Sequence, residues 1–204
     1  MEAASPPARP GPRSRKKRRI RAQIFALGPN WVKLCEDETD LLLFPPLRAA
    51  WSPRGHSREV RISGHNARRV VFGALDLKGG KRLFLARTRQ RSVDFSAFQQ
   101  QVAARYAGRP VAMLVDEDPS HTTQASRALA EQLGIRLIWL PKRCPELNAM
   151  DHLWGHGKGH VCANRQYDDI DTQTERSIAY LQGLSDEDAL CQAGVLSADF
   201  WLKV

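Results

Sequence analysis

The sequence predicts an α/β fold, a mixed sheet flanked by helices, and three observations carry that prediction. Apolar strand-like runs come first, between Trp31 and Arg87, and helical and strand patterns then alternate as far as Trp154. That order builds a mixed sheet with helices on its faces. The stretch from Ala112 to Trp154 reads as strand, helix, strand, loop, helix, and two parallel strands joined by a helix form a right-handed crossover. Two apolar runs end in acids, at Asp37 and Asp116, and open α/β sheets place their sites at the carboxyl ends of strands.

The elements follow in chain order. Met1 to Pro12 is rich in Pro, Ala and Gly and is expected to be disordered. Ile20, Ile24 and Leu27 recur at helical spacing, so a helix is predicted from about Lys16, broken at Gly28-Pro29-Asn30. Trp31 to Asp37 (WVKLCED) reads as a first strand. DETDLLL reads as a second, followed by a Pro-Pro kink and a turn at Ser52-Pro53-Arg54-Gly55. Arg69 to Ala74 and Arg82 to Arg87 flank Gly79-Gly80 as a hairpin. Val93 to Tyr106 is amphipathic, with Phe95, Phe98, Val102 and Tyr106 on one face and Gly108 at its end. Met113 to Val115 is a short buried strand. Ser120 is expected to cap a helix carrying Ala125, Leu129 and Leu133, which Gly134 stops. Ile135 to Leu140 is the next buried strand, and Pro141 and Pro145 keep the following segment extended. Asn148 then caps a helix with Asp151 in its first turn. Further on, Asp171 to Leu181 and Ser185 to Ala193 are predicted helices, and Phe200 and Trp201 fold back on the core.

Composition bounds the class. The chain has 204 residues, 42% hydrophobic and 26% charged, enough for one domain with a core. No apolar run reaches the ~18 residues that span a bilayer, and the basic, proline-rich N-terminus lacks the apolar core of a secretory signal. Four scattered cysteines suit a reducing compartment, so a cytoplasmic protein with no membrane partner is expected. The net charge is +9. Residues 1–22 hold eight basic side chains against Glu2 alone, which places +7 of that charge in the first tenth of the chain. Such a segment seeks polyphosphate; a solvated linker is the other reading.

If the Trp31 and Met113 strands lie side by side in parallel, Asp37 and Asp116 meet at one edge, and the helix entered at Asn148 brings Asp151 to the same place. Three crowded carboxylates repel unless cations hold them, and hard divalent cations are their natural partners. EDETDLLLFPPLRAAWSPRG, LVDEDPSH and LPKRCPELNAMDHLW together resemble the transposases of bacterial insertion sequences of the IS-six-thirty type, relatives of the mariner transposases. The 34 residues between Asp116 and Asp151 are similar to the mariner spacing. The resemblance covers roughly residues 17 to 204. It implies a ribonuclease H-like fold with a five-stranded mixed sheet, a catalytic triad of Asp37, Asp116 and Asp151, and two Mg²⁺ (or Mn²⁺) ions for DNA cleavage and strand transfer. The domain division expected is a basic tail or linker at 1–22, the catalytic domain at 23–165 and a helical extension at 166–204 packed on it.

Alternation along the strand sends Glu36 and Glu38 to the face opposite Asp37, but geometry alone does not choose the face; the resemblance chooses Asp37. Asp116 also reads as a turn residue and Asp151 as a capping partner of Asn148. Candidate DNA contacts are Arg15, Lys16, Lys17, Arg18, Arg19, Trp51, Arg54, His121, Lys142, Arg143 and Asn148. Trp51 resembles the tip of a family hairpin that approaches DNA or a partner subunit, and a core tryptophan is its other reading. His121 either orients the site or starts a helix. His152, His156, His160 and Cys162 form a competing zinc constellation, against which Gly155, Gly157 and Gly159 would spoil the helix. The resemblance implies double-stranded DNA as partner (element ends and a flexible TA target), bound as a homodimer. Family members read element ends with a helix-turn-helix module; nothing before Ile20 is expected to fold into one, so either a separate polypeptide or upstream frame supplies it or the copy is truncated. An inactive remnant that only binds DNA and a nuclease without strand transfer are the alternative functions. Ala149 stands where the family has Pro, and with Gly155 and Gly157 it is expected to loosen the helix that carries Asp151.

Overall fold

A computed structural model describes residues 12–56, 59–142 and 144–202. Helix α1 (Pro12–Phe25) leads into strand β1 (Val32–Leu42) and the hairpin β2 (Arg68–Asp76) and β3 (Arg82–Arg87). Helix α2 (Ser92–Arg105), strand β4 (Val111–Val115), the short α3 (Pro119–Thr122), α4 (Gln124–Gln132) and strand β5 (Ile135–Trp139) complete the sheet. A 3-10 turn (Pro145–Leu147) precedes α5 (Ala149–Gly157), which runs on as a π-helical segment (Lys158–Cys162); α6 (Ile170–Gly183) and α7 (Asp186–Gln192) follow. The sheet order is β3-β2-β1-β4-β5. β1 pairs antiparallel with β2, and β2 with β3, while β1, β4 and β5 run parallel. This is the mixed five-stranded sheet the sequence predicts.

Strand alternation sorts the core into two layers. On one face Leu34, Phe72, Met113 and Val115 meet Phe95, Phe98 and Val102 of α2 and Ala130 of α4. On the other, Cys35, Leu41, Val71, Leu75 and Leu114 meet Ile20 and Ile24 of α1, Met150, Leu153 and Trp154 of α5, and Leu181, Leu190 and Trp201 of the C-terminal segment. Trp201 also donates its indole N–H to the Leu147 carbonyl at 2.9 Å, which pins the chain end beside the start of α5.

Four local expectations are corrected. The two strands expected before the hairpin are one: β1 runs without a break through Asp37, because β2 pairs with it from Leu34 to Leu42 and supplies partners that outweigh the polar DET run. The helix predicted from about Lys16 starts at Pro12, within the 1–22 segment expected to be a basic tail or linker; residues 1–11 lie outside the described residues. Ile20 and Ile24 are 2% and 0% exposed, and burying each side chain contributes about 1.5–3 kcal/mol, so the expected domain boundary at 22/23 falls inside a docked helix. Ser120 is not a cap: Asp118 accepts from the Ser120 amide to open α3, and Thr123 accepts from the Ser126 amide to open α4. Finally, the glycines do not interrupt α5, which continues into the π-helical segment.

Two glycines there have packing reasons. A Cβ at Gly157 would lie 3.0 Å from Leu181, so alanine at 157 crowds α6 rather than stiffening α5. Gly73 of β2, the partner of Asp37 across the ladder, leaves room for α5: a Cβ there would sit 2.5 Å from the Trp154 ring and 2.7 Å from Met150 Cε. Overpacking a well-filled core costs about 1–3 kcal/mol. Gly73→Ala is therefore expected to lower stability by that amount in denaturant titration, while Gly155→Ala, whose Cβ meets nothing within 4 Å, leaves it unchanged or higher.

Candidate active site

β4 ends at Val115, and its parallel pairing with β1 stops at Cys35 opposite Leu114. Beyond that point β1 continues against β2 alone, and the space beside it opens as a cleft of about 460 Å³. Asp37 lies on β1, on the face it shares with Cys35. Asp116 follows β4 directly. Asp151 stands in the first turn of α5. All three line the cleft, with Glu117, Asp118, Lys142 and Asn148 at its walls.

Asn148 brings the third acid in. Its Oδ1 accepts from the Met150 amide at 3.1 Å and from the Cys35 thiol at 2.8 Å, and its Nδ2 donates to the Glu36 carbonyl at 2.9 Å. One buried amide thus caps α5 and satisfies β1 backbone where no strand does. Burial pushes the Cys35 thiol up to about 12, so it stays a neutral donor.

Like-charge crowding is legible in Asp37. Burial, then Glu38, Asp116 and Asp151, raise its pKa to about 8. Asp116 goes the other way: the hydrogen bond from His121 holds it below the ordinary carboxylate range. Glu36 and Glu38 occupy the opposite face of β1, toward α2 and α3. Burial raises both, and Glu36 also feels Glu38. Burial alone would depress His121, but Glu36, Asp116 and Glu38 together raise it to about 12, so the cluster holds one imidazolium.

Among the described residues, Glu36, Glu38 and His121 form the group close enough to share an ion by distance alone. His121 Nε2 and Glu38 Oε1 lie 2.7 Å apart, closer than the ~3 Å or more that two ligands keep around one ion with bonds of about 2 Å. A proton fits between them. Asp37, Asp116 and Asp151, which line the cleft with Asp116 and Asp151 exposed, could hold Mg²⁺ or Mn²⁺ through their oxygens. The zinc constellation is corrected. His156 Nε2 pairs with the Tyr180 hydroxyl, His160 Nδ1 with the His156 carbonyl, and Cys162 lies buried against Ser177 and Gln173, so the four groups do not converge.

The predicted DNA contacts separate into three sets. Arg15, Arg18 and Arg19 are exposed on α1, Lys17 lies over the Trp201 ring, and Lys16 binds Glu117 at the cleft wall at 2.6 Å. Trp51 is 99% exposed, which corrects its reading as a core residue, and Arg54 lies in the same exposed loop. Lys142 sits at the cleft, 3.4 Å from Glu117. His121 and Asn148 are buried, with polar atoms committed to protein groups, so neither offers itself to DNA. Arg143 lies outside the described residues. Sequence reasoning treated Glu36 and Glu38 as rivals of Asp37 and missed that they flank His121; the Glu-Asp-Glu alternation with a histidine five residues past Asp116 was the available signal.

Residues 33–173 match the DDE superfamily endonuclease family, and the chain belongs to it. Among the relatives it is similar to, it is 28% identical to an uncharacterized IS630 insertion-element 39 kDa protein of Shigella sonnei over 133 residues, 64% of this chain and 39% of the other. It is 30% identical to the Tcb2 transposase of Caenorhabditis briggsae over 69 residues, 31% of this chain and 25% of the other. The chain thus spans less than half the length of these relatives. Its fold is that of the Mos1 mariner transposase. A paired-end complex with Mg superposes at a TM-score of 0.66 with 18% identity, covering 98% of this chain and 65% of that one. The Mos1 catalytic domain gives 0.59 with 16% identity, covering 89% and 84%. The sheet is accordingly ribonuclease H-like.

The raised Asp37 has a measurable consequence. Its folded pKa of about 8 lies above the ordinary 3.8. The protonated form favours folding, so this contribution is complete at acid pH and lost as pH rises through the folded value. Without divalent cations, the thermal midpoint of the wild type is expected to fall more steeply between pH 5 and 8 than that of Asp37→Asn. Parallel curves would show that Asp37 is not crowded in solution.

Proposed function

We propose that this chain is the catalytic domain of an insertion-sequence transposase that cleaves DNA strands and joins the freed 3′-hydroxyl to target DNA. The observation that carries this reading is the convergence of Asp37, Asp116 and Asp151 on one open cleft, with Asp37 pushed up by burial and then by its acidic neighbours. The three carboxylates would hold two Mg²⁺ or Mn²⁺ ions. The chemistry supplied there would be neutralisation of charge on the phosphoryl oxygens and acidification of the attacking water or hydroxyl.

The protein's own groups do the rest. Asp37, fixed within a five-stranded sheet, and Asp116, oriented by His121, set the position of the site. Asp151 rides on α5, whose first turn Asn148 ties to β1. Cleavage adds water oxygen to phosphorus and releases a 3′-hydroxyl. Joining then forms a bond from that 3′-oxygen to a target phosphorus and breaks the target's own bond to its 3′-oxygen. Duplex DNA, with a TA target, would lie across the cleft mouth against Lys142 and the exposed arginines of α1, and a second copy would approach through the Trp51 loop. The setting is the bacterial cytoplasm, at the nucleoid; no helix among the described residues is long and apolar enough to cross a membrane.

Asp37→Asn, Asp116→Asn and Asp151→Asn are each expected to abolish Mg²⁺-dependent nicking and joining of a duplex while the circular dichroism spectrum stays native. Near wild-type nicking in any one would remove that residue from the site, and nicking without joining in the parent protein would favour a simple nuclease.

The basic face of α1 is testable without deleting the helix, which would uncover Ile20 and Ile24. Arg15→Gln, Arg18→Gln and Arg19→Gln combined are expected to reduce the slope of log K against log salt by up to ~0.9 for each phosphate that is no longer neutralised. An unchanged slope in a filter-binding titration would show that the phosphates are neutralised elsewhere on the protein.

A further inference from the structure

The structure assigns to His121 and Glu38 a joint positioning role: the imidazole, held by Glu38 on the far face of β1, orients the carboxylate of Asp116 for the cleft. The assignment rests on the reading of Asp116 as a ligand of the cation.

The imidazole is 1% exposed, so it touches neither DNA nor solvent. Both of its nitrogens are spent on carboxylates: Nδ1 lies 3.0 Å from Asp116 Oδ1, and Nε2 lies 2.7 Å from Glu38 Oε1. A ring with a carboxylate at each end donates from both nitrogens, and such charge-assisted bonds are stronger than neutral ones. The ring also packs on Phe95 of α2, with centroids 4.3 Å apart. The helical turn that carries it is held at Ser120, whose amide donates to Asp118 and whose carbonyl accepts from the Ser126 hydroxyl. The histidine is therefore located by packing and by backbone before it meets Asp116.

Asp116 itself follows the last residue of β4 and is 55% exposed. Its Oδ1 accepts from His121 and from the Asp118 amide at 2.9 Å; neither bond uses Oδ2. An exposed aspartate at a strand end has free rotamers, and two bonds on one oxygen select one of them. Glu36 adds a further carboxylate to the same buried cluster. It is fully buried, its Oε2 is 3.8 Å from Nε2, and neither of its oxygens has a hydrogen-bond partner. A carboxyl group buried without a hydrogen bond is costly, and here it faces the imidazole that holds Asp116. Partners behind ligating groups fix ligand orientation, and their loss typically weakens metal affinity or activity by about 10–100-fold.

The test is a double-mutant cycle on Mn²⁺ binding, measured by calorimetry on the full chain, with duplex nicking as a second readout. Glu38→Gln and His121→Asn are each expected to weaken Mn²⁺ affinity about 10-fold or more while the thermal midpoint shows a folded protein. In nicking, the Mn²⁺ concentration for half-maximal rate should rise by the same factor, and the rate at saturating Mn²⁺ should recover toward the parent value. Because Glu38 acts through the ring, Glu38→Gln in the His121→Asn background should add nothing. Effects that multiply in the double variant, or Mn²⁺ affinity unchanged in both single variants, would overturn the positioning role. If His121→Asn does not fold, Glu38→Gln, which keeps the shape of the side chain, decides alone: unchanged Mn²⁺ affinity overturns the role, and weakened affinity with recovery at high Mn²⁺ supports it. Asp116→Asn separates the two levels. Binding abolished there but retained in the other variants defeats only the positioning role, whereas binding retained in Asp116→Asn defeats the reading of the site and this role with it.

Discussion

The side-chain amide of Asn148 is the group on which the rest of this site depends. β1 outruns β4, and on that side its backbone beyond Cys35 has no strand to pair with. Asn148 provides a partner at the Glu36 carbonyl and, with its other end, caps α5. A buried carbonyl left unpaired costs about 1–3 kcal/mol, and removal of the cap adds about 1 kcal/mol. The same atoms therefore close the sheet edge and hold Asp151 beside Asp37. Fold and site share one interaction, so the third acid does not depend on the rigidity of α5 alone.

The two faces of β1 solve different electrostatic problems. On the cleft face, Asp37 is crowded by acids, which leaves its charge to be balanced by something that binds. On the opposite face, Glu36 and Glu38 are balanced internally by His121. The alternation of a single Glu-Asp-Glu run across a strand divides an open site from a buried cluster gathered around His121 at a distance of one residue. Asp116 belongs to both, since it lines the cleft and closes the buried cluster.

Much of this was legible in the sequence where local rules suffice. The hairpin at Gly79-Gly80, the amphipathic α2 ending before Gly108, the β4-helix-β5 crossover and the Asn148 cap all rest on periodicity and turn chemistry, and they stand where expected. What was not legible depended on partners distant in sequence. The polar DET run looks like a strand end and is strand because β2 lies beside it. Gly157 looks like a weakness and is a packing surface for Leu181, while Gly73 gives no local sign that Trp154 will lie against it. The resemblance singled out the three acids that line the cleft; that Glu36 and Glu38 flank His121 required knowing which side of the sheet α3 would occupy.

The docking of α1 changes what its charge can do. A loose basic tail neutralises DNA in any orientation, as a diffuse cloud would. A helix anchored through Ile20 and Ile24 carries its arginines at a fixed pitch: Arg15 and Arg19 stand about 6 Å apart along the axis at 1.5 Å per residue. Their direction is fixed relative to Asp37 and Asp116 as well, with Lys16 bound at the cleft wall. On the proposed function the helix would give a duplex a heading as well as an attraction, and the angle of entry to the cleft would be set by the core packing of two isoleucines.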